Sequence, residues 1–426
     1  MSAIPRWAAR TAVLTVVVAT LGLGTDLVGA GTGPQRSTTP GTAGHRDAEP
    51  PVADGPGKPD DEAPRGRPER QVRVLGDGST AVTGRQPNQP VPARLAPGEK
   101  PPQFVVFSWD GAGEDGNRLF SRFRRLAAEH DASMTYFLSG LYVLPEDSRE
   151  RYHPPRHTAG ASDIGFLNDD HIRATLEQLR LAWLDGSEVG THFNGHFCGT
   201  NGAQDWTSDE WKSEIRQAKW FVQHWRTTTG FTGTPPLPFD YDAELVGGRT
   251  PCLEGRENLL PAAAQAGFRY DSSGNGTQVW PDKEQGLWDL PLQHIPVPGR
   301  AFETLSMDYN FLANQSGTVN GAPANRPTWR KQWHDGLMQG FRRAYDGNRA
   351  PMIVGNHFEQ WNGGIYMDAL EDVITKVCSL EDVRCVSFRR LVDWLDAQDP
   401  EVLARLRTLG VGEKPAEGWE EFLAGG

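Results

Sequence analysis

Phe104-Val105-Val106-Phe107-Ser108-Trp109-Asp110-Gly111 is the stretch on which the fold turns. A run that is apolar without alternation is what a strand buried on both faces of a parallel sheet looks like. It ends by delivering one carboxylate, Asp110, into a glycine-rich turn. Working outward, helix and strand signals alternate. Helical periodicity covers 118–130, 170–183, 330–345, 367–377 and 389–395, and Thr207 with Glu210 three residues on reads as a capping box opening a helix that runs to about 228. Strand signals cover 133–138, 188–191, 268–271, 287–292, 352–357 and 384–388. Such alternation implies a parallel sheet covered by helices, either doubly wound or closed as a barrel. In both, reactive groups gather at the C-terminal ends of the strands.

Composition trims what this α/β domain must contain. Of 426 residues, 31–100 are rich in Pro, Gly, Ser, Thr and charge, with almost no apolar periodicity. A segment that poor in apolar surface cannot offset its ordering entropy, so it reads as a disordered linker. The first 30 residues read as a secretory signal peptide: Arg6 and Arg10, then an apolar run over 11–23, then Val28-Gly29-Ala30 as a cleavage site. The run is too short to span a membrane, so no stable membrane span is expected after cleavage, and the expected location is secreted or cell-wall-associated. Residues 101–398 form the expected catalytic domain and 399–426 a tail, helical at first and then loose and acidic. A net charge of −12 with no Lys/Arg block argues against a nucleic-acid partner. Oligomeric state is not legible.

Four cysteines in an exported chain are expected to be oxidised. Cys378 and Cys385 are close enough to staple a local loop, which leaves Cys198 and Cys252 to pair across the fold; four cysteines allow three connectivities. Cys198 and Cys252 flank candidate site residues and have a second reading as thiolate ligands, which export disfavours.

Three polar clusters sit at expected strand ends: Asp110, the pair His192 and His196, and His357. Two imidazoles four apart can reach one divalent ion if they share a helical turn. Asn194 and Gly195 between them fit a loop entering a helix better than a helix interior.

Asp110, then His192-x-x-x-His196, then Arg249-Thr250-Pro251, then His357 at a late strand end resembles the ordered motifs of the NodB-type polysaccharide deacetylases, carbohydrate esterase family four. Locally, Tyr270-Asp271-Ser272-Ser273, Asn348-Arg349-Ala350-Pro351 and residues 383–394 resemble its chitin deacetylase-like branch. The resemblance runs from about residue 104 to 397. It implies a distorted (β/α) barrel that removes N-acetyl groups from a polysaccharide containing N-acetylglucosamine, such as peptidoglycan or chitin. It further implies a divalent metal, Zn2+ or else Co2+, at His192 and His196. In the catalytic set Asp110 would be the base, His357 the acid and Arg249 the group holding the carboxylate ionised.

One departure stands out. The family's first motif has two adjacent aspartates, and here Gly111 follows Asp110. Placing Asp110 as the base keeps the apolar pattern of the strand and leaves Gly111 where the metal-binding aspartate belongs. The shifted alternative makes Asp110 the metal ligand and puts Trp109 at the base. Glu114 or Asp115, on the adjoining loop, are candidate replacements. Phe193 also stands where the family has Ser or Thr. Asp271 and Asp289 are candidates to orient His357. Of Trp206, Trp280, Trp288, Trp333 and Trp361, only Trp361, four residues after His357, is read as a sugar platform. A carbohydrate-binding pseudoenzyme on the same fold is the alternative reading, and O-deacetylation a third.

Overall fold

Because Gln103–Asp110 is buried along its whole length, it can only be an interior strand. The computed structural model describes residues 72–424; the expected signal peptide and residues 31–71 of the expected linker lie outside the described residues. A hairpin of β1 (Arg73–Leu75) and β2 (Thr80–Val82) comes first. There follow β3 (Gln103–Asp110), β4 (Thr135–Leu138), β5 (Glu188–Thr191), β6 (Gly247–Gly248), β7 (Tyr270–Asp271) and β8 (Asn275–Gly276). The last six are β9 (Lys283–Glu284), β10 (Leu287–Asp289), β11 (Leu292–Pro296), β12 (Glu303–Leu305), β13 (Met352–His357) and β14 (Val383–Cys385).

Nine strands form the main sheet in the order β13-β3-β4-β5-β6-β7-β10-β9, with β14 pairing the start of β3. Every pairing in it is parallel except β10 with β9. The sheet curls into half a barrel, and its end strands β13 and β9 do not pair with each other. A small sheet of β12, β11 and β8 lies beside it, joined to β13 at Met307 and Gly355. This is the distorted barrel the resemblance implies.

Period two along β3 divides the core. Val105, Phe107 and Trp109 pack against Phe120 and Phe123 of helix Leu119–Glu129 and Leu370 and Ile374 of helix Trp361–Val377. Phe104 and Val106 pack on the other face, with Phe137, Tyr270, Ile353 and Phe388. Ser108 and Asp110 continue that inner face. In register, His357 pairs with Asp110 and Phe137 with Gly190. Counting by twos from Ile353 and Gly190 therefore puts His357 and His192 on the same inner face as Asp110.

The expected linker is corrected at its C-terminal part. Residues 72–100 lie on the domain: Ser79 accepts from Trp225 Nε1 through its carbonyl at 2.7 Å and from Arg226 N through Oγ at 2.9 Å, and the side chains of Gln86 and Gln89 reach the carbonyls of Ser187 and Gly186. Hydrogen bonds in both directions order this strap, which apolar periodicity does not register. The tail starts with the helix expected of it, but its loose end is corrected. Helices Pro400–Leu406 and Trp419–Leu423 bury Val402, Leu403, Leu406 and Leu423 against Trp394 and Leu395. Both disulfides form, Cys198 with Cys252 and Cys378 with Cys385.

Candidate active site

Asp110 is almost fully buried, and its Oδ1 accepts from Arg249 Nη1 at 2.8 Å. Arg249, wholly enclosed, also donates to Ser108 Oγ, Ser272 O and Ser272 Oγ. Its guanidinium lies 5.0 Å from the Phe137 ring. A Cβ on Gly355 would stand 3.1 Å from Arg249 Nη1 and 2.7 Å from Met307 Cε, so the absence of a side chain there admits the guanidinium. Burial acts to raise the Asp110 pKa, but the charge of Arg249, with His192 and His357 adding, outweighs it and holds the carboxyl below its usual value.

His357 follows from the last long strand. Its Nδ1 is 2.8 Å from Asp308 Oδ1, and its backbone N–H donates to Asp308 Oδ2 at 2.8 Å. Burial lowers the His357 pKa, yet the Asp308 charge and hydrogen bond, then Asp110, leave it above the ordinary histidine value. Asp308 opens helix Asp308–Gln315 and is itself enclosed. The expectation that Asp271 or Asp289 orients His357 is therefore corrected. Both are taken by Arg256, and Asp271 also accepts from Ser273 Oγ, whose oxygen accepts from Thr250 N. Their work is to fix the Arg249 loop. A lone aspartate separated from its histidine by 49 positions carries no spacing signal, so sequence reasoning missed Asp308.

His192 and His196 lie on a loop with Phe193 and His196 in the left-handed region, φ 60° and 58°. No helical turn joins them, yet their ring centroids are 5.1 Å apart. Burial drives the His192 pKa down to about 3 and, with repulsion from His357, lowers that of His196, so both imidazoles are neutral near pH 7. His192 Nδ1–H donates to the Arg249 carbonyl at 2.8 Å, which fixes the tautomer and turns the Nε2 lone pair outward. Asn194, between the two, is held by Glu214, a buried carboxyl that also accepts from Tyr152.

Two neutral imidazoles with one tautomer set are donors that fit a divalent ion as two of its ligands. The anionic third donor is not supplied. Gly111 follows Asp110, and among the described residues the His, Cys, Asp or Glu donor atoms that gather three within 4.8 Å are those of His196, Cys198 and Cys252. Glu114 is not in that group: its Oε2 accepts from Ser121 N at the start of helix Leu119–Glu129, while its Oε1 is buried with no hydrogen-bond partner among the described residues. Asp115 is turned back on Asn117.

Trp361 stands partly exposed with its ring 5.2 Å from His357, and Tyr309, 41% exposed, is 6.0 Å from Trp361. Trp206, Trp280, Trp288 and Trp333 are core residues. Three left-handed residues, Asn362, Gly363 and Gly364, place Trp361 on a turn ahead of its helix. A separate cavity of about 610 Å3 lies beside Trp183, Glu244 and Arg269, the last just ahead of β7, under residues 82–92, and touches none of these groups.

No protein-family model matches the chain, and no curated protein matches it. Solved structures do. The chain is similar to a Mycobacterium smegmatis protein provisionally described as a polysaccharide deacetylase, at 17% identity and TM-score 0.42 over 72% of this chain and 95% of that one. It is similar to a family 4 acetyl xylan esterase from Clostridium thermocellum in complex with a cobalt ion, at 16% identity and TM-score 0.36 over 70% and 96%. A CE4 family pseudoenzyme from Bacillus anthracis is similar at 13% identity and TM-score 0.35 over 71% and 70%.

Proposed function

We propose that this chain is an exported hydrolase of the NodB type that removes N-acetyl groups from a polysaccharide containing N-acetylglucosamine, within or near a cell wall. The observation that carries the reading is the pairing of Asp110 and His357 on one inner sheet face, each with its own counter-charge. Arg249 keeps Asp110 ionised, so it accepts the proton of the water that adds to the acetamide carbonyl. Asp308 raises the pKa of His357 and occupies its Nδ1, so the other nitrogen is the one to protonate the departing sugar amine. Water addition and C–N cleavage then release acetate. Trp361 and Tyr309 offer flat faces beside the acid for a pyranose ring. A divalent ion at His192 and His196 would supply Lewis-acid polarisation of the carbonyl.

A second reading has its own observation. Gly111 and the bond between Asp110 and Arg249 leave the histidine pair without a carboxylate, which favours a sugar-binding protein that has lost the chemistry. Mass spectrometry of N-acetylglucosamine oligomers incubated with residues 72–426, with and without Zn2+ or Co2+, separates the two. Metal-stimulated loss of acetyl groups that Asp110→Ala abolishes is the expected result. Unchanged oligomers that nonetheless bind, with Trp361→Ala weakening the binding, would establish the second reading instead.

A further inference from the structure

We propose that Cys198, Cys252 and His196 are a thiol-gated metal site, closed while the two sulfurs are bonded to each other and open to a thiophilic divalent ion such as Zn2+ or Cd2+ once they are reduced. The inference stands apart from the deacetylase reading and does not need it. His196 Nδ1 already lies 3.8 Å from Cys198 Sγ, and all three donor atoms fall within 4.8 Å of one another. Tetrahedral Zn2+ with bonds of about 2.3 Å to sulfur and 2.0–2.1 Å to nitrogen separates those two ligand types by about 3.5 Å. The nitrogen is thus in place, and opening the sulfurs to roughly 3.7 Å is a matter of two side-chain rotations.

Reduction would not scatter the donors, because the two loops are tied by other bonds. Gly199 N donates to Glu254 Oε2 at 2.6 Å, linking the residue after Cys198 to the turn that follows Cys252. Leu253 N and Glu254 N close that turn on Thr250 O and Pro251 O. Access is open as well: Cys252 is exposed and Cys198 half-buried, whereas Cys385 of the other disulfide is buried. The balance is simple. A dithiol reductant gives two electrons and two protons to the Cys198–Cys252 bond and becomes a disulfide itself. The incoming ion then displaces both thiol protons, leaving two sulfur–metal bonds and one from the His196 nitrogen. Both candidate ion sites include the His196 imidazole.

The test uses Co2+ as the probe, in the Cys378→Ser/Cys385→Ser background, where free thiols can come only from this pair. After anaerobic reduction, removal of the reductant and a thiol count, Co2+ is titrated against the protein. The expected result is two thiols and a thiolate-to-cobalt charge-transfer band in the near ultraviolet saturating at one ion per chain, absent from the oxidised protein. His196→Gln should weaken the binding by about tenfold or more. Two free thiols with no such band overturns the proposal, as does a pair that cannot be reduced without unfolding, or a band of equal affinity in His196→Gln. Loss or retention of sugar hydrolysis does not enter the readout.

Discussion

Removing one member of an enclosed ion pair leaves the other charge stranded, and Arg249 is the clearest place to see the effect. Arg249→Met should destabilise the fold by about 3–5 kcal/mol, measured by urea unfolding, because Asp110 loses the group that offsets its burial. The double variant Arg249→Met/Asp110→Leu should recover much of that loss, and no recovery would show that Arg249 acts chiefly through Ser272 and the aromatic rings around it. Asp308 makes a complementary case. His357 has its folded pKa raised, so its contribution to stability is fully present below the unfolded value of 6.5 and is lost as pH rises through the folded value. In Asp308→Asn the NMR titration midpoint of His357 should drop, and the stability difference between the two proteins should shrink as pH rises. Asp110, Arg249, His192 and His357 were legible because each ends a strand or sits in an ordered motif. Asp308 was not, because what makes it a partner is a contact across the fold and not a local pattern.

Elements come next. Helix Ser208–Gln223 carries both halves of its capping box, Thr207 accepting from Glu210 N and Glu210 reaching back to Thr207 N. Thr207→Ala should cost about 1 kcal/mol in chemical unfolding. The same helix supplies Glu214, whose pKa burial pushes up to about 7 from 4.5. A carboxyl held neutral in the fold stabilises fully below its unfolded pKa and progressively less as pH climbs towards and past 7. Glu214→Gln should therefore flatten the stability profile between about pH 4.5 and 7; a profile as steep as the parent's assigns the slope to other carboxyls such as Glu244. Strands β5 and β13 were read from sequence with the boundaries they have, since continuous burial writes itself into composition. The three-strand sheet of β8, β11 and β12 was mostly invisible, being short and half exposed.

At the scale of the molecule, the strap of residues 72–100 is where sequence reading failed most plainly. Its order comes from hydrogen bonds exchanged with the domain, accepted by Ser79 from Trp225 and Arg226 and donated by Gln86 and Gln89 to backbone carbonyls, and such bonds have no periodicity to detect. A chain beginning at residue 101 should melt at a lower temperature than one beginning at residue 72, because it uncovers Trp225 and the ends of two helices. Equal melting temperatures would show that the strap is passive.

The parallel pairing of β13 with β3 joins segments far apart in the chain, and Ser108 Oγ adds a hydrogen bond to the Val354 carbonyl 246 positions on. Until that late strand arrives, one flank of β3 has no neighbour along Val105–Asp110. A polypeptide interrupted before residue 357, by a stalled ribosome or a protease, holds Asp110 without its imidazole counterpart and keeps an apolar, unpaired strand edge. Such an edge pairs with other chains. Truncated chains should accordingly collect as aggregates.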